Sequence, residues 1–145
     1  MSKQIRCFFV GHSDAAPSVY PVLLRAVEKH IEEYNVTEFI VGHYGNFDSL
    51  AARAVAEAKR KYSGITLTML LPYHPSQNNF LPPAEFDGSW YPRDLETVPQ
   101  RVAIIRANQC AIDNSNYLIA YVRHPGSNAR KLLEYATGRA RVTEL

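Results

Sequence analysis

Most of the groups in this sequence that are able to do chemistry follow apolar runs. Gly11-His12-Ser13-Asp14 comes after "IRCFFV", and Gly42-His43-Tyr44-Gly45-Asn46-Phe47-Asp48 comes after "TEFIV". Pro72-Tyr73-His74 ends "GITLTMLL", and Arg123-His124-Pro125-Gly126-Ser127-Asn128 ends "YLIAYV". Gly42 and Gly45 let the backbone turn tightly and approach a ligand with no Cβ in the way. A helix starting just after them offers unpaired N–H groups and the positive end of its dipole, which suits phosphate. Asp48 does not suit phosphate; it is read as a helix cap or an acceptor for a ribose hydroxyl. The anion argument applies again to Gly126, Ser127 and Asn128 ahead of the last helix. Arg106 is a candidate for bidentate pairing with phosphate. A metal centre is not expected, since no carboxylate pair or H-x-x-x-H helix accompanies the histidines. A triad from His12, Ser13 and Asp14 is not expected either: adjacent residues rarely point at one another, and no G-x-S-x-G elbow is present.

These groups need strands and helices to bring them together. Ile5–Gly11, Thr37–Gly42, Gly64–Tyr73 and Tyr117–Val122 read as buried strands, with a short final strand in "RVTEL". Helical periodicity predicts helices from about Ser18, with Ser18 as N-cap, from Phe47 to Tyr62, from Gln100, and from Ala129 to Thr137 with Gly138 as the stop. Strands apolar throughout and alternating with helices imply a parallel sheet covered on both faces. Ligands of such sheets bind beyond the carboxyl ends of the strands, where the strand order reverses. Residues 73–99 break the pattern. They hold the only tryptophan and several other aromatics, and are read as an ordered arm whose exposed aromatics cover a neighbouring subunit in a homo-oligomer.

The chain is 145 residues, with 46% hydrophobic and 21% charged residues, which suits one globular domain over 1–145. A net charge of +2 and the lack of a basic stripe argue against a nucleic-acid module. No segment approaches the ~20 apolar residues of a membrane span. Two cysteines in apolar runs read as free thiols of a cytoplasmic protein.

"FFVGHSD", "FIVGHYGNFDSLAARAV", "LLPY" and "RANQCAIDNSNYLIAYV", in this order, resemble the SLOG superfamily, which includes the LOG phosphoribohydrolases, the DNA-processing Smf/DprA proteins and the YpsA-like proteins. The pattern is most similar to the YpsA-like branch, through G-x-x-G-x-F-D (Gly42 to Asp48) and the run from Arg106 to Val122. The resemblance implies a Rossmann-like three-layer α/β domain with a mainly parallel sheet. It implies ligand contacts at Gly11, His12, Gly42, Gly45, Asn46, Asp48 and the Gly126–Asn128 turn; Ser13, His43 and Arg106 complete the expected set. The implied ligand is a small nucleotide derivative, a nucleoside phosphate or ADP-ribose-like molecule, bound in the manner of a sensor and with no resident cofactor. The second reading is a nucleosidase or phosphoribohydrolase with Asp48 or Asp113 as acid/base. Binding ranks ahead of hydrolysis: the LOG-type glutamate that follows the last glycine turn has no match here, and Glu134 comes too late.

Overall fold

The computed structural model describes residues 4–42, 45–73, 83–93 and 95–145. Strand β1 (Arg6–Gly11) leads through a 3₁₀ turn (Pro17–Val19) into helix α1 (Tyr20–Tyr34), then β2 (Glu38–Val41), α2 (Asn46–Lys61) and β3 (Thr66–Leu70). After β3 come β4 (Gly88–Trp90), a second 3₁₀ turn (Leu95–Thr97), α3 (Gln100–Asp113), β5 (Tyr117–Tyr121), α4 (Asn128–Ala136) and β6 (Arg141–Glu144). Pro21 lies in the first turn of α1, where its missing N–H costs nothing. Ser18 is not a cap: it lies inside the 3₁₀ turn, and α1 starts after Val19 with no side-chain cap. Helix α2 carries Asp48 in its first turn and Lys59, Arg60 and Lys61 in its last, each sign favourable to the helix dipole.

All six strands are parallel, in the order β4-β3-β2-β1-β5-β6. The chain builds outward from β1 to β4, then returns to the other side of β1 with β5, so the order reverses between β1 and β5. Alternate residues of each strand face opposite sides. Cys7, Phe9, Phe39, Val41 and Leu67 pack with α1 and α2 on one face. Phe8, Val10, Ile40, Leu70, Leu118 and Ala120 pack with α3 and α4 on the other. The expected three-layer, Rossmann-like α/β architecture is therefore present.

The arm differs from its sequence reading. It contains a sixth strand, β4, whose three residues pair with Thr68, Met69 and Leu70. Phe86 packs against the α1/α2 core, and Trp90 and Tyr91 against the α3/α4 core; all three are half-buried in their own subunit. The described aromatics therefore pack in part within their own subunit. Residues 74–82, including His74 and Phe80, lie outside the described residues. Among the described residues no helix is long and apolar enough to cross a membrane.

Candidate functional site

A cavity of about 310 Å³ opens where the strand order reverses. Phe9, Val10, Leu70, Pro72, Ile104, Ala107 and Leu132 supply apolar surface, and His12, Ser13, Asp48, Asn108, Ser127 and Asn128 supply polar groups. Three turns expected at this edge therefore meet here, from the ends of β1, β2 and β5.

His12 is the link between two of them. It is 6% exposed, and its Nε2 accepts the backbone N–H of Arg123 at 2.7 Å and that of His124 at 3.3 Å. A nitrogen accepting N–H groups carries no proton, so the ring is neutral with its hydrogen on Nδ1. Burial holds its pKa below the ordinary imidazole value; His124 and Arg123 push the same way, and Asp14 opposes. The His124 ring lies 4.5 Å from that of His12, and the Arg123 guanidinium lies 4.5 Å over the Tyr121 ring. With Nε2 so occupied, His12 is a poor metal ligand there. Among the described residues no group of three or more His, Cys, Asp or Glu is placed to hold a metal.

The glycine turns after β1 and β2 are filled from within. A Cβ on Gly11 would fall 2.2 Å from Cγ of Phe47, so Gly11 makes room for that ring. A Cβ on Gly42 would lie 2.9 Å from Oδ2 of Asp48, so the space at this glycine holds a carboxylate. Gly45 has φ of 99° and faces Ser13, whose Cα a Cβ would meet at 2.5 Å. Two N–H groups of the α2 first turn are also spent: Asn46 donates to the Ser13 carbonyl at 2.9 Å and Phe47 to that of His12 at 3.3 Å. At α4 the Ser127 hydroxyl accepts the Arg130 N–H at 3.1 Å and donates to the His124 carbonyl at 2.8 Å.

The expected residues divide accordingly. Gly11, His12, Ser13, Gly42, Asp48, Ser127 and Asn128 line the cavity. Gly45 and Asn46 hold its turns together from outside. Gly126 is exposed, with open space where a Cβ would be, and is not part of the lining. His43 lies outside the described residues. Arg106 is exposed on α3 and does not line the cavity, whereas Ile104, Ala107 and Asn108 do. Residues two apart on a helix do not share a face, so Asn108 inward puts Arg106 outward. Asn108 is the polar residue missed; the Ile104–Asn108 spacing of four was the available signal.

Asp113 is not at this site. It ends α3 beside the start of β5, accepts the Tyr135 hydroxyl at 3.0 Å and lies 3.6 Å from Arg139 Nε. The length of β5, about 3.3 Å per residue, separates it from the cavity edge. Asp48 and Asp113 therefore cannot serve one glycosidic bond.

No family model matches this chain, and no curated protein matches it. Among solved structures the chain is similar to DNA processing protein A from Helicobacter pylori, described for its single-stranded DNA binding mode. The TM-score is 0.51 at 13% identity, with 95% of this chain and 74% of that chain covered. The likeness supports the resemblance to the DNA-processing relatives at the level of fold. It also corrects two expectations: a neighbour that binds single-stranded DNA overturns the small-molecule nucleotide reading, with its hydrolase alternative, and the exclusion of nucleic acid. The physical reasons agree. The backbone cradles meant for a nucleotide phosphate hold Phe47, Asp48 and Ser13 instead.

Proposed function

We propose that this chain binds single-stranded DNA across the cavity at the β1/β5 reversal. The observation that carries the reading is the distribution of charge. Residues 101–145 hold seven Lys and Arg against three Asp and Glu, while residues 1–100 hold nine against eleven. The small net charge hides this segregation. Of these seven, Arg123 at the end of β5 and Lys131 on α4 stand on the elements that border the cavity, while Arg106 faces away from it and Arg139 and Arg141 lie at the opposite sheet edge. Arg123 stands beside His12, and Lys131 is exposed on α4, the helix that brings Asn128 and Leu132 to the cavity.

The filled turns after β1 and β2 support the same reading. Phosphates near them must be met by side chains such as Arg123 and Lys131 rather than by a backbone nest, which favours an extended polyanion lying outside those turns. The cavity floor is apolar enough to receive unstacked bases. The function of the fold neighbour is in keeping with this. Within this reading the kinship is to the YpsA-like branch, on the Gly42 to Asp48 motif.

Fluorescence anisotropy with a labelled oligodeoxynucleotide of about 16 nucleotides tests it. The expected result is binding to single strand in preference to duplex, weakening steeply between about 50 and about 200 mM salt. No binding at the lower salt, or equal binding of duplex, overturns it.

A further inference from the structure

A second hollow of about 460 Å³ lies on the sheet at the amino ends of β1, β2, β3 and β4, opposite the edge that carries the first cavity. Arg6, Glu38, Ile40, Thr66, Thr68, Gly88 and Trp90 line it, and all belong to the strand face that α3 and α4 cover elsewhere. Parallel sheets are ordinarily covered on both faces by apolar packing. Here the floor is polar and already ordered. Glu38 is only 14% exposed in its side chain; one oxygen accepts from Arg6 Nε at 2.7 Å and the other from the Thr68 hydroxyl at 2.8 Å. Asn114, at the end of α3, and Asp87 also line the hollow.

Gly88 is the telling residue. Its φ lies outside the left-handed region and a Cβ there would meet nothing within 4 Å, so neither backbone strain nor internal packing calls for glycine. A glycine inside a strand weakens it, and often marks the close approach of a ligand. The wall beside it is Trp90, an aromatic surface for stacking. Both carboxylates are already paired, Glu38 with Arg6 at 2.7 Å and Asp87 with Lys59 at 2.5 Å, so the described lining offers no unpaired cation to a phosphate. Carboxylate oxygens accept more than one hydrogen bond, so Glu38 and Asp87 still suit a neutral, planar N–H donor.

We propose that this groove holds one base of the bound single strand, with the base over Gly88 and Thr68 against Trp90 and its phosphate kept outside. The inference rests on the single-strand reading above. The two hollows lie toward opposite ends of the strands and approach each other along β3 and β4, where Leu70 lines the strand-end cavity and its pairing partner Trp90 lines the groove.

Trp90 is the only tryptophan, so its emission reports this groove alone. The experiment titrates oligodeoxycytidine of about 16 nucleotides, and an abasic oligomer of equal length, into wild type, Gly88→Val and Thr66→Leu, following Trp90 emission and anisotropy together. Valine suits a strand, so Gly88→Val is expected to keep its fold; unchanged urea midpoints establish this for both variants. The expected result is saturable quenching by the oligodeoxycytidine, none by the abasic oligomer, and loss of quenching in either folded variant. Anisotropy binding without quenching, or quenching that survives both substitutions, overturns the groove and leaves the single-strand reading standing. If no oligomer binds, that reading falls, and cytidine and guanosine decide the groove. Quenching by either nucleoside that Gly88→Val abolishes upholds a base site; its absence overturns it.

Discussion

The Nε2 of His12 accepts the backbone N–H of Arg123 at 2.7 Å, joining the end of β1 to the end of β5 across the reversal in strand order. His12→Ala leaves that N–H and the one of His124 without their acceptor in a partly buried place. The expected cost is about 1–3 kcal/mol. Urea denaturation measures it, and a midpoint equal to wild type contradicts the role given to His12.

The two histidines that are buried among the described residues make stability depend on pH. His30 is fully buried, with Nδ1 on the Ala26 carbonyl at 2.7 Å and Nε2 unpartnered. Burial is the main reason that both His12 and His30 have lowered pKa values. As pH falls below the ordinary value of 6.5, the unfolded chain takes up protons that the folded chain refuses, so stability is lost. Above that value both states are neutral and the effect vanishes. The melting temperature is expected to be flat from about pH 7 to 8 and to fall toward pH 5. His30→Leu is expected to lessen the fall; an equally steep acid limb in this variant removes His30 as a cause.

The glycines differ in what they tolerate. Gly11→Ala forces the Phe47 ring to move, at about 1–3 kcal/mol. Gly45→Ala adds left-handed backbone strain to a clash with Ser13 and costs at least as much. Gly126→Ala meets open space and stays within about 0.5 kcal/mol of wild type. Thermal melts of the three proteins check this order.

Salt dependence locates the polyanion. Arg123→Ala and Lys131→Ala are each expected to reduce the slope of log affinity against log salt by about 0.7, the value of one phosphate contact on a single strand. Arg139→Ala, near Asp113 at the other sheet edge, is expected to leave it unchanged. A uniform effect of all three argues for diffuse attraction with no defined path.

Cysteine reactivity reports the sheet. Cys7 is fully buried in β1 and burial pushes its thiol pKa far up. Cys110 is half-buried on α3, with its pKa raised chiefly by burial and next by Asp113. A thiol reagent is expected to modify Cys110 slowly and Cys7 only on unfolding. Rapid modification of both in native protein contradicts this packing.

The sequence by itself determined the alternation of strands and helices, because apolar runs and helical stripes are local patterns. It also placed His12, Ser13, Asp48, Ser127 and Asn128 at one sheet edge, because that edge follows from chain order alone. It did not disclose β4, whose three residues are too short a pattern and gain their identity only by pairing with β3. Only the tertiary structure decided what the glycines are for, since an empty Cβ position looks the same in sequence whether Phe47 or a phosphate fills it. It also carried Asp113 to the far edge and turned Arg106 away from the cavity, through the direction and phase of α3. The net charge of +2 was legible from the start; that Arg123 and Lys131 stand on elements bordering the cavity while Arg106, Arg139 and Arg141 do not face it required the fold, because charges distant in sequence act together only once packing makes them neighbours.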